Sequence, residues 1–139
     1  MPIENLARSD VITAPTDESV EELASTMDEQ SVGSIVITDG DEPVGIVTDR
    51  DLAMRVLGDG TDPESATAED VMTDELTTIE RGSGFYQAAE MMSENAVRRL
   101  PVTDDGHLAG IITADDFTEL LADEQAQLST IIQAQRPEY

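Results

Sequence analysis

The residues best suited to chemistry in this 139-residue chain lie in two short stretches. Thr48 and Asp51 stand three apart where an apolar run gives way to a polar one, and Thr113 and Asp116 repeat that spacing. A threonine at the end of a strand and the start of a helix has its hydroxyl beside unsatisfied backbone N–H groups and the positive end of the helix dipole, which suits a phosphate. A carboxylate one turn further on can accept two hydrogen bonds from a vicinal diol, such as the 2′ and 3′ hydroxyls of a ribose. The same Thr-x-x-Asp spacing also makes a capping box that needs no ligand, and spacing alone leaves both readings open. Arginine placement is a second signal. All seven basic residues are Arg, and three stand in or beside these stretches: Arg50 inside the first, and Arg98 and Arg99 side by side before the run Leu100 to Thr103.

Both stretches belong to an internal duplication. Gly45 to Leu52 (GIVTDRDL) matches Gly110 to Phe117 (GIITADDF) at an offset of 65, and that offset also pairs Leu6 with Val71, Thr13 with Thr78, Ala24 with Ala89, Met27 with Met92 and Val32 with Val97. The join falls in Gly58-Asp59-Gly60-Thr61-Asp62-Pro63, a turn-rich run. Each copy reads strand, helix, strand, strand, helix. Asp17 or Thr16 is expected to cap a helix with Val20, Leu23, Ala24 and Met27 on its apolar face, reproduced by Phe85, Ala88, Ala89 and Met92. The β-branched run Ile35 to Thr38, a turn at Asp39 to Pro43 and a second run at Val44 to Val47 predict a hairpin. Leu100 to Thr103 and Leu108 to Ile112 form its counterpart. The expected units are residues 1–60, residues 66–125 and a C-terminal helical extension over 126–139.

Asp70-Val71-Met72-Thr73, Arg98-Arg99-Leu100-Pro101-Val102 and the two Gly-apolar-apolar-Thr-x-x-Asp stretches, in this order and duplicated, resemble the tandem cystathionine-β-synthase (CBS) domain pair, or Bateman module. The opening Leu6-Ala7-Arg8-Ser9 departs from the pattern that Val71-Met72-Thr73 keeps. The resemblance implies an α/β fold of two CBS repeats packed with pseudo-twofold symmetry. It also implies that Thr48, Asp51, Thr113 and Asp116 contact the phosphate and ribose of an adenine nucleotide (AMP, ADP or ATP) or an adenosyl compound such as S-adenosylmethionine. The loop before one hairpin is then expected to approach the other repeat's motif. Arg98 and Arg99 would face Thr48, Arg50 and Asp51, leaving the Thr113/Asp116 site poorer in positive charge. The implied role is regulatory, through a homodimer or an effector protein. Two alternatives come from other classes: a ligand-free dimerisation module, and a metal-dependent small-molecule hydrolase.

Composition narrows the field. With 31 acidic residues, no Lys and a net charge of −24, nucleic-acid binding is disfavoured, because phosphate contact depends on clustered Lys and Arg. Such a chain repels itself unless salt shortens the Debye length, which is about 3 Å at 1 M, and its composition resembles that of proteins from extremely halophilic archaea. Without cysteine there are no disulfides or thiolate metal sites. The single histidine, His107, sits in a turn, and no Ser/His/Asp set, Walker loop or Rossmann fingerprint is present. No catalytic or metal-binding residue is therefore assigned. Met27, Met91 and Met92 read as core. No run approaches the roughly 18 apolar residues of a membrane span, and the expected location is the cytoplasm.

Overall fold

β-branched runs become strands and amphipathic stretches become helices in the same order in both halves of the chain. The computed structural model describes residues 1–73 and 75–137. Its first half holds β1 (Thr13–Pro15), α1 (Val20–Gln30), β2 (Ser34–Asp39), β3 (Glu42–Thr48) and α2 (Asp49–Asp51), which runs on as a π-helical turn, Leu52–Leu57. After α3 (Ala68–Val71) the order recurs as β4 (Ile79–Glu80), α4 (Phe85–Asn95), β5 (Arg99–Asp104), β6 (His107–Thr113) and α5 (Ala114–Gln135). The strands form two three-stranded sheets, β1-β2-β3 and β4-β5-β6. In each, the first pair is parallel and the second is an antiparallel hairpin. Register shifts fall at Ile37/Thr38 and Val102/Thr103, and left-handed residues at Ser31 and Ala96, so the offset of 65 reaches down to backbone irregularities.

Two details of the helices differ from expectation. The cap of α1 is Ser19, whose hydroxyl accepts from the Glu22 amide at 3.1 Å, rather than Asp17 or Thr16. The carbonyls of Thr16 and Glu18 are taken by the Glu69 and Ala68 amides of α3 at 3.0 and 2.8 Å, which holds this stretch out of the helix. The buried face is also narrower. Val20, Leu23 and Met27 of α1 and Ala88 and Met92 of α4 are buried, but Ala24 and Ala89 are exposed.

The two halves exchange their opening segments. Ile3, in a single 3-10 turn (Ile3–Asn5), is fully buried among Ile79, Leu100, Val102, Ile112 and Phe117 of the second half. Ala66, Ala68 and Val71 complete the core of the first half, around Leu23, Ile35, Ile37 and Val47. Backbone pairing follows the same exchange: Arg8 with Ile111, Thr73 with Ile46, Pro2 with Gly84 and Thr67 with Ser19, four bridges related by pseudo-twofold symmetry. This crossing explains the glycine that opens each repeated motif. A Cβ on Gly110 would lie 2.7 Å from the Arg8 carbonyl oxygen, and one on Gly45 would lie 2.5 Å from the Met72 sulfur. Only a residue without a side chain lets the opposite segment pack so close.

Candidate functional site

Both Thr-x-x-Asp motifs sit where the hairpin's last strand turns into a helix, and both form complete capping boxes. Asp51 Oδ2 accepts from the Thr48 amide at 2.8 Å and Thr48 Oγ1 accepts from the Asp51 amide at 3.1 Å. In the second half Asp116 Oδ2 accepts from the Thr113 amide at 2.8 Å and the Thr113 hydroxyl at 3.1 Å. The cap occupies one carboxylate oxygen of each aspartate and leaves Oδ1 for another partner. For Asp51, 16% exposed, that partner is Arg55, at a loose 3.8 Å on the same helical stretch. For Asp116, 7% exposed, it is Arg8 of the opposite half. Arg8 reaches Oδ1 with Nη2 at 3.0 Å and Nε at 3.3 Å.

A cleft of about 390 Å³ opens beside the second motif, between the halves. Thr113, Ala114 and Asp115 form its floor at the start of α5, where amides and dipole favour an anion. The end of α1 and the start of β2 contribute Gln30 to Ser34, and the segment before β1 contributes Asp10 to Ile12. Arg8, Arg98 and Arg99 also line the cleft. Three of the chain's seven cations thus meet at one opening, against two lining carboxylates, Asp10 and Asp115. Arg98 and Asp115 approach to 3.7 Å with both side chains solvated, so the Arg98 guanidinium is only weakly committed.

Arg98 and Arg99 line the cleft with Thr113, whereas Thr48, Arg50 and Asp51 lie outside its lining. The cause is hairpin geometry. Arg99 pairs with Thr113 across β5 and β6, and the Arg98 carbonyl accepts from the Ala114 amide at 2.9 Å, so the pair is tied to its own repeat's helix start. Arg99 does reach across the molecule: its Nη2 and Asp49 Oδ2 lie 3.5 and 3.3 Å from the position a Cβ would take on Gly33. The cleft at Thr113 thus carries three guanidiniums, while Arg99 also extends towards Asp49, inside the Thr48 to Asp51 motif. Asp116 lies behind the lining, its carboxylate held by Thr113 and Arg8. Arg50 is exposed on α2. Arg8 and the Gln30 to Val32 stretch were not anticipated as site residues. For Arg8 the signal was present, since it stands at the offset of Thr73, where the opening segment departs from its repeat.

Among the described residues, no group of three or more His, Cys, Asp or Glu is placed to hold a metal ion. Among the described residues, no helix is long and apolar enough to cross a membrane. Residues 3–58 and 68–123 each match the CBS domain family. An uncharacterized protein of Methanopyrus kandleri, MK0525, is 39% identical over 117 residues; the match covers 83% of this chain and 60% of the relative, so the chain spans less than two thirds of that protein. Among solved structures, a putative signal-transduction protein with CBS domains from Burkholderia ambifaria superposes with a TM-score of 0.82 at 26% identity, covering 90% of this chain and 96% of that one. The CBS domain pair of protein MJ0100, solved in complex with 5′-methylthioadenosine and S-adenosyl-L-methionine, gives a TM-score of 0.81 at 25% identity, covering 89% and 98%.

Proposed function

This chain belongs to the CBS-domain family, as a tandem pair, and from that premise we propose that it is a cytoplasmic regulatory module whose cleft at Thr113 takes an adenine nucleotide. The observation that carries this reading is the meeting of Arg8, Arg98 and Arg99 at one opening of a chain with net charge −24. In such a chain a cationic cleft is a selective feature, and charge-assisted hydrogen bonds from guanidinium to phosphate are roughly twice as strong as neutral ones. An adenosyl ligand accords with the compounds bound by the MJ0100 pair. AMP, ADP and ATP suit the three guanidiniums better than the sulfonium of S-adenosylmethionine. The module carries no catalysis of its own, and its output passes to an effector protein or an assembly.

The assembly we propose is a homodimer closed through α5. Leu121, Leu128, Ile131 and Ile132 are all more than half exposed, and at spacings of three, four and seven they run along one side of the helix. Acidic residues Glu119, Asp123 and Glu124 lie in the first half of α5, while Gln125 to Gln135 are uncharged and Arg136 follows. An antiparallel pair sets each acidic half beside the uncharged half and Arg136 of a second copy, whereas a parallel pair stacks acid on acid. Light scattering in molar salt is expected to give a dimer for the wild type and a monomer for Leu128→Glu; a monomeric wild type removes this part of the reading.

One observation favours a second reading, a ligand-free assembly module: both capping boxes are complete as they stand. Melting the protein with AMP, ATP or S-adenosylmethionine decides between the two. A ligand at a hundredfold excess over its Kd stabilises the fold by about 2.7 kcal/mol, so a raised melting temperature with a phosphorylated nucleotide is expected. An unchanged melting temperature with every compound would establish the ligand-free module instead.

A further inference from the structure

We propose that Arg8 is the residue that makes the Thr113 cleft selective for phosphorylated over unphosphorylated nucleosides, by holding Asp116 until a phosphate takes its place. This deepens the nucleotide reading and rests on it. Asp116 is almost fully buried and both its oxygens are used, Oδ2 by Thr113 and Oδ1 by Arg8. A ribose diol that is to hydrogen-bond this carboxylate must therefore displace Arg8 from Oδ1. The displacement separates a charge-assisted pair, which is unfavourable unless the guanidinium finds another anion.

Arg8 is free to make that exchange. Its side chain is 57% exposed and lines the same cleft as Arg98 and Arg99, while its backbone is fixed by two hydrogen bonds to Ile111, of 2.9 and 3.0 Å. The guanidinium can swing towards a phosphate without any movement of the chain. A nucleoside monophosphate supplies both halves of the exchange, the diol for Asp116 and the phosphate for Arg8. An unphosphorylated nucleoside supplies only the first and leaves Arg8 without its counter-ion.

The first repeat shows the alternative. The residue at the Arg8 offset is Thr73, and Asp51 is approached instead by Arg55, which also donates to the Val71 carbonyl at 2.9 Å and so keeps a partner whatever happens at Asp51. The selective device belongs to one motif only. It arises because the opening segment crosses from one half to the other.

Titration calorimetry with AMP and adenosine, which share base and ribose, tests this in wild type, Arg8→Ala and Arg8→Lys. The wild type is expected to prefer AMP by at least about tenfold, the equivalent of one charge-assisted hydrogen bond. In Arg8→Ala the preference should collapse towards unity, with AMP weakened and adenosine strengthened, because Asp116 is released. Arg8→Lys keeps the charge and should restore part of the preference. If Arg8→Ala weakens both ligands equally, or leaves the ratio unchanged, Arg8 is only a structural tie and the proposal is wrong while the nucleotide reading stands. If wild type binds neither compound, the nucleotide reading itself falls and takes this proposal with it.

Discussion

The two Thr-x-x-Asp motifs share backbone, cap and register, yet differ in what answers their charge. Around Asp51 the counter-ion is local and loose, Arg55 at 3.8 Å on the same helical stretch. Around Asp116 it comes from 108 residues away and sits at 3.0 Å. A duplicated fold thus keeps its apolar pattern in both copies and diverges where single polar residues meet across the pseudo-twofold axis. The lesson is that sites in a duplicated protein are set less by the repeated motif than by the residues the opposite repeat delivers to it.

The comparison can be broken most forcefully at the exchanged segments. Ile3→Ala empties a fully buried position in the second core and is expected to cost about 2–5 kcal/mol in urea melts. Hydrogen exchange should then quicken in β5 and β6 before β2 and β3; the opposite order would deny that Ile3 serves the second half. Next comes Gly110→Ala, expected to cost about 1–3 kcal/mol, because the new Cβ meets the Arg8 backbone. Gly45→Ala should cost less, since its nearest obstacle is the flexible Met72 side chain. Equal losses from the two substitutions would show that the crossings are more alike than their geometry indicates.

A smaller effect separates the aspartates. Asp116→Ala removes a cap and the close pair with Arg8, for about 2–3 kcal/mol, whereas Asp51→Ala removes a cap and only the loose contact with Arg55, for about 1 kcal/mol; thermal melts of the two variants measure the difference. The smallest effect is expected at Arg98. Its solvated pair with Asp115 is worth about 0–1 kcal/mol, so Arg98→Ala should leave the melting temperature nearly unchanged while weakening AMP binding. A clear loss of stability would mean that Arg98 is structural.

Much of this was legible in the sequence. The offset of 65 carried strand order, hairpins and helix starts, because apolar periodicity reports directly on which face is buried. It could not report which core receives Ile3 and Leu6, since an apolar residue is equally at home in either half. Nor could it bring Arg8 to Asp116, a contact that depends on the opening segment crossing between the halves. The Ser19 cap was lost for a related reason: backbone bonds from α3 trimmed a helix whose local pattern allowed an earlier start. Thr48, Asp51, Thr113 and Asp116 were found as capping boxes and ligand candidates together, and both capping boxes are complete.

The exchanged opening segments also bear on the order in which the chain is made. Ala66, Ala68 and Val71 emerge soon after the strands they cover, so the first core can close early in synthesis. Ile3 and Arg8 are made long before their partners Ile112 and Asp116. At about 5–20 residues per second, the 108 residues between Arg8 and Asp116 take roughly 5–20 seconds to appear. Throughout that interval the apolar turn at Ile3 has no core to enter, and β6 is the strand that seals it.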